Sequence, residues 1–299
     1  WKGNSFKHHS SKKYNMKNWI LFVFMILSAP WLFGWGQNGH RIVAKICYDN
    51  LSRKAKAEVD KALGDNYLEQ VSNWPDFIRS ERNWKFADPW HYVTIDPDET
   101  VGDLLEETHK DDDIDNVVEA IELMQAILKD DAAAIDQFQK LMDKNKVEPL
   151  AGSIKATALA FLIHFIGDVH QPMHVGKNQD LGGNKISVLY FSEKTNLHSV
   201  WDSGLIDHEK LSYTEFSAFI EKHHRPNKEE LSKTNPIEWA QESVTYREKI
   251  YNTLYDNTDR DSGLPSFSYN YQHDFIPVVE HCLAAAGYRA AAMLNEIFG

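Results

Sequence analysis

Residues 154–170 read IKATALAFLIHFIGDVH, a segment that is apolar on nearly every face of a helix. A helix apolar all round has to be enclosed by protein, so the rest of the chain must fold around this one. Ser153 is placed to cap its start, and Gln171-Pro172 stops it at the other end. Two residues break the apolar character, His164 and Asp168, and their spacing of four puts them on the same face. A buried carboxylate without a partner is costly. A divalent metal held by both side chains is the economical solution, and His174, just past the helix end, is a further candidate ligand.

The flanking sequence predicts a mainly α chain without repeats. Arg41–Leu51 places Ile42, Val43, Ile46 and Cys47 on one face at helical spacing. Ser52 and Gly64 bracket a second short helix as N-cap and C-terminal glycine. Residues 85–112 read as loop, Ile114–Leu128 as an amphipathic helix, and Lys185–Phe191 as a short β-hairpin-like segment after Gly182-Gly183-Asn184. Pro236 suits the first turn of another helix, and Phe275–Phe298 forms a long terminal one. No linker interrupts 35–299, which is expected to be one domain. Residues 1–34 read as leader and signal peptide: from Met16 a lysine precedes an apolar run of roughly a dozen residues, too short for a comfortable membrane span. Cleavage is expected after Gly34, giving a secreted or periplasmic protein with no membrane attachment.

Charge narrows the function further. The 299 residues carry a net charge of −12, and with five lysines in the leader the remainder holds 27 basic and 44 acidic residues. That balance argues against gripping a polyanion through a basic surface alone. Cys47 and Cys282 allow one bridge at most and exclude a disulfide-rich scaffold.

Three histidines stand four residues before an acid: His164 with Asp168, His198 with Asp202, and His109 with Asp113. With 14 His and 44 acids, roughly two such pairs arise by chance, so context has to decide between them. The third pair lies in the acidic run Asp111-Asp112-Asp113 and reads as a solvated face. The first is in the buried helix, and the second follows a glycine-rich loop. W-P-D at 74–76 and W-H-Y at 90–92 set Asp76 and His91 beside aromatic residues. Taken singly, each of these signals reads as structural.

Taken together, the segments WGQNGHRIVA (35–44), SNWPD (72–76), WHYV (90–93), FLIHFIGDVHQPMH (161–174), GGNK (182–185) and NLHSVWD (196–202) resemble the S1/P1 family of zinc-dependent nucleases. The resemblance implies a helical domain of the phospholipase C/P1 nuclease type and three Zn2+ ions per chain. One would be held by Asp76, His91, His164 and Asp168, and another by His174, His198 and Asp202. The third would take His40, a shared Asp168, and the amino nitrogen and carbonyl oxygen of Trp35. Imidazole and carboxylate suit zinc, at about 2.0–2.2 Å. Using the Trp35 amine requires cleavage immediately before it, because an amide nitrogen has no lone pair to donate.

By the same resemblance, a zinc-activated hydroxide oriented by Asp76 hydrolyses phosphodiester bonds of single-stranded DNA or RNA to 5′-phosphate products, with 3′-nucleotidase activity as a companion. Arg79 would steady the transition-state charge, Tyr92 would stack a nucleobase, and Gly183 and Asn184 would face its edge. A monomer is expected. The chain departs from the family pattern at Thr94, where an acid is common. Two rival readings are a zinc-dependent phospholipase C and a non-enzymatic exported zinc-binding protein. Asp202, where the lipase pattern has Glu, and the GGNK loop favour the nuclease over the first. The scatter of histidines among aromatics, instead of a His-rich tract, disfavours the second.

Overall fold

The computed structural model describes residues 35–97, 99–103, 114–233 and 235–299. The expected leader and signal segment and the His109–Asp113 pair lie outside these residues. In chain order the first helices are α1 (Gln37–Asp49), α2 (Arg53–Leu63), α3 (Leu68–Val71) and α4 (Trp74–Ile78). A 3₁₀ stretch, Arg82–His91, leads to α5 (Val117–Leu128), α6 (Ala132–Asn145) and α7 (Ile154–Val169). Later come α8 (Tyr213–His224), α9 (Pro236–Asp256) and α10 (Tyr269–Phe298). The fold is mainly α.

The all-round apolar segment is α7, and it is buried from Ala156 to Val169. The Ser153 hydroxyl accepts from the Ala156 N–H at 3.2 Å, worth about 1 kcal/mol of helix stability. α7 packs along α5 and also against α1 and α10. Trp74, Trp84 and Trp90 gather edge-on or tilted around Phe161, within 5.4–5.8 Å of its ring. The Trp90 indole N–H donates to Ile114 O at 2.9 Å. This aromatic cluster fixes the 3₁₀ stretch, which sequence pattern alone reads as loop, because its order comes from partners 70 residues away.

Several boundaries differ from the sequence expectation for local reasons. α1 begins at Gln37, four residues before Arg41. α5 starts at Val117, where the Asn116 side chain accepts from two backbone N–H groups, at Val118 and Glu119. α10 starts at Tyr269 and runs through Pro277, whose ring removes a single helical N–H. α2 matches its expected bounds, with Gly64 at φ 61° closing it.

Five short strands complete the described residues. β1 (Val93–Thr94) pairs in parallel with β2 (Val175–Gly176). β3 (Ser187–Tyr190) and β4 (Glu193–Asn196) form the expected hairpin, and β5 (Ser266–Phe267) adds in parallel to β3. Cys47 on α1 and Cys282 on α10 are both buried and unpaired. No helix of the described residues is long and apolar enough to cross a membrane.

Candidate metal centre

α7 delivers His164 and Asp168 to the middle of the protein, and four other segments converge on them. Asp76 comes from α4, His91 from the end of the 3₁₀ stretch, His40 from α1, and His174 from just beyond the α7 terminus. Each of these side chains is at most 6% exposed. Asp168 Oδ2 lies 3.0 Å from His91 Nδ1 and 3.2 Å from His164 Nε2. Its other oxygen, Oδ1, lies 3.4 Å from His40 Nε2 and 3.7 Å from His174 Nδ1. One carboxylate thus faces four imidazoles. Asp76 Oδ1 stands 3.7 Å from His164 Nε2. Asp202, which follows the turn of helix Leu197–Ser199 in a π-helical stretch, Val200–Gly204, has oxygens 3.3 Å from His198 Nε2 and 3.7 Å from His174 Nε2.

These atoms fall into three buried groups of metal-ligand size: Asp76, His91 and His164; His40, His164 and Asp168; and His174, His198 and Asp202. Trp35 is fully buried and packs against Gly39 and Gly167. The Gly36 N–H donates to Asp202 O at 2.6 Å. The backbone around residue 35 is therefore held beside the His40 and Asp202 groups. Gly167 is required by close approach: an added Cβ would lie 2.9 Å from His40 Nδ1.

The donor chemistry fits cations. Three histidines point Nδ1–H at backbone carbonyls: His164 at Ser72 O (2.7 Å), His174 at His91 O (2.6 Å) and His198 at Gly182 O (2.7 Å). Each Nε2 lone pair is thereby turned toward a carboxylate oxygen, which is repulsive unless positive charge stands between them. Burial pushes Asp76 up to about 6 and Asp202 well above the usual carboxylate range. Burial opposes charge on His164 as well, but the Asp168 and Asp76 carboxylates outweigh it and raise that imidazole. Burial holds His40 well below its ordinary value and takes His91 down to about 3. The buried His40 nitrogens, Asp76 Oδ1, His91 Nε2 and Asp168 Oδ1 have no hydrogen-bond partner among the described residues. Buried orphans gathered in one centre fit a site for cations.

Residues 35–299 match the family model for S1/P1 nuclease. Endonuclease 4 of Arabidopsis thaliana is 32% identical, over 88% of this chain and 89% of that protein. Nuclease S1 of Aspergillus oryzae is 28% identical, over 89% and 92% respectively. The chain belongs to the S1/P1 nuclease family. It is accordingly a nuclease, a hydrolase of phosphodiester bonds. Membership sets aside the phospholipase C and zinc-buffering readings.

In this S1/P1 nuclease a cavity of about 150 Å³ opens beside the metal-ligand groups, lined by Tyr92, Thr94, His174, Asn178, Leu181, Gly182 and others. Tyr92 is part of this wall. Gly183 and Asn184 are not on this wall. Gly183 packs on Leu197 and Met173, and the Asn184 amide turns back to Leu181 O at 2.9 Å. Left-handed backbone at Leu181 and Gly182 (φ 55° and 59°) puts those two residues on the cavity instead. Thr94 is on the wall, while Asp96 Oδ1 is occupied by the Asn178 N–H at 3.0 Å. Arg79 Nη1 is 3.7 Å from Asp76 Oδ1, and its Nε is 3.6 Å from Asp88 Oδ1.

Sequence reasoning missed Gln171, which it reads only as a helix stop. Gln171 is fully buried, donates through Nε2 to Asp202 Oδ1 and accepts the Met173 N–H. A polar side chain between two candidate ligands was the signal available.

Proposed function

We propose that this nuclease is an exported enzyme that binds three Zn2+ ions and cuts single-stranded DNA or RNA to 5′-phosphate products, working as a monomer. The observation that carries the reading is the single carboxylate, Asp168, facing imidazoles of separate buried groups with both oxygens. His40, Asp76, His91, His164, Asp168, His174, His198 and Asp202 would hold the ions, joined by the Trp35 amine once the leader is removed ahead of it. Bound zinc supplies Lewis acidity and lowers the pKa of its water toward about 7.

The remaining work falls to the protein. Asp76 Oδ1, aimed inward without a hydrogen bond, accepts from the attacking water and orients it toward phosphorus. Arg79, held by Asp76 and Asp88, faces the charge that develops on the phosphoryl oxygens. Tyr92 holds a base by stacking, a contact that tolerates any base. The backbone carbonyls of Ser72, His91 and Gly182 keep three imidazoles in the tautomer with the proton on Nδ1 and a lone pair on Nε2. Enclosure by α7 and the tryptophans excludes bulk water and strengthens each of these interactions.

The test is metal analysis of the purified mature chain together with cleavage of single-stranded DNA, RNA and a phosphatidylcholine control. Chelation should abolish nucleic-acid cleavage and zinc should restore it, with about three zinc ions per chain and no lipase activity. Full nuclease activity in a metal-free preparation overturns the reading.

A further inference from the structure

Helix α9 reaches the loops around the cavity through two side chains one turn apart. Arg247, 1% exposed, donates through Nη1 to the carbonyls of Ile95, Val175 and Gly176 at 2.7–3.1 Å, clamping β1 and β2 together. Tyr251 donates its hydroxyl to both oxygens of Asp180, at 2.8 and 2.9 Å. Asp180 Oδ1 in turn accepts the Gly183 N–H at 2.7 Å, and the next carbonyl back, Gly182 O, accepts from His198 Nδ1 at 2.7 Å. A continuous chain therefore runs from α9 through Tyr251, Asp180 and the glycine loop to an imidazole of the third His/Asp group.

The loop needs such an anchor. Leu181, Gly182 and Gly183 all take left-handed backbone (φ 55°, 59° and 83°), a sequence of conformations that local preference does not favour for leucine. Lys177 Nζ sits 4.2 Å above the Tyr251 ring and pairs with Glu248 on α9 at 3.0 Å, holding the aromatic in place. We propose that Tyr251 and Asp180 are positioning residues of this nuclease: they set the Gly182 carbonyl that fixes the His198 tautomer, and with it the hold of His174, His198 and Asp202 on their ion. The inference rests on the zinc reading above.

The test uses the zinc-loaded enzyme and three variants. Tyr251→Phe removes one oxygen and keeps the ring under Lys177; Asp180→Ala cuts the loop from the latch; Tyr255→Phe, on the same helix and 88% exposed, is the control. Zinc release to a chromophoric chelator is followed without substrate. Loss of a contact beyond the ligands weakens metal binding by about 10–100-fold, so Tyr251→Phe should release one zinc about tenfold more readily than wild type and leave the others unchanged. KM for a dinucleotide should rise with it, since Leu181 and Gly182 also line the cavity, while Tyr255→Phe matches wild type throughout. Wild-type zinc release in Tyr251→Phe, even with a lowered melting temperature, overturns the latch. A wild-type protein that carries no zinc overturns the metal reading itself, a result distinct from failure of the latch alone.

Discussion

Replacing Gly167 by alanine separates helix propensity from site geometry, because the two pull in opposite directions. At an exposed position inside a helix, Gly→Ala stabilises by about 1 kcal/mol. At Gly167 the new methyl would lie 2.9 Å from His40 Nδ1 and 3.2 Å from its Cε1, against 3.4 Å or more for ordinary contact. The imidazole must therefore withdraw by about half an ångström, yet it is stacked on the His164 ring at 3.7 Å and has no exposed side to move toward. Overpacking of a filled interior costs about 1–3 kcal/mol, so the net change is a destabilisation of up to about 2 kcal/mol. That corresponds to a melting temperature lower by up to about 4 °C for a protein of this size. The chemical effect is larger, because a displaced ligand loosens one ion of the centre and a misplacement of this order can cost on the order of a hundredfold in rate. Thermal melts, chelator competition and cleavage of a single-stranded oligonucleotide read the three quantities on one preparation. A Gly167→Ala protein that melts at or above wild type and keeps all of its zinc would refute the close packing of His40 on α7.

Three further outcomes follow from the same geometry. Asp168→Asn should abolish turnover and lose more than one zinc, as metal analysis would show; loss of a single ion would mean that the carboxylate serves one group only. Tyr92→Ala should lower the rate on dinucleotides more than on a simple aryl phosphodiester, and equal losses would remove the stacking role. Glu242 lies between Arg289 (2.7 Å) and His281 (2.9 Å). Burial works against its charge, but these partners outweigh it and bring its carboxyl from 4.5 down to about 2. A depressed folded-state value stabilises above about pH 4.5 and is lost as pH falls toward 2, so Glu242→Gln should flatten the melting temperature across that window. After discounting for its partial exposure the effect is about 1–2 kcal/mol, and an unchanged pH profile would count against the pairing.

The parts of this molecule legible in its sequence are those whose cause is local or repeated. α7 announces itself because an all-apolar helix has only one environment open to it, and Ser153, Ser52 and Gly64 mark ends through their own side-chain or backbone preferences. The candidate ligands were legible as a set because several short segments resemble one family in order. The cavity wall was not. Whether Gly182 or Gly183 lines the cavity depends on three successive left-handed residues, which a sequence does not display. Asp180 and Tyr251 make their hydrogen bonds to backbone or to partners distant in sequence, and nothing in their own neighbourhood distinguishes them from surface polar residues, while Gln171 had only its place between two candidate ligands to mark it. The order of the 3₁₀ stretch before His91 likewise comes from an aromatic cluster assembled only in three dimensions.

α1, which carries His40, packs along α10, the last helix of the chain. Asn295 near its end donates to Asn50 O and accepts the Ser52 N–H, and Lys54 reaches Gly299 O. The first helix is thus finished only by residues about 245 positions later. The placement of α1, and of the His40 that it carries, therefore leans on side chains from the far end of the sequence, so a change in the last turn of α10 reaches the candidate metal centre without touching it.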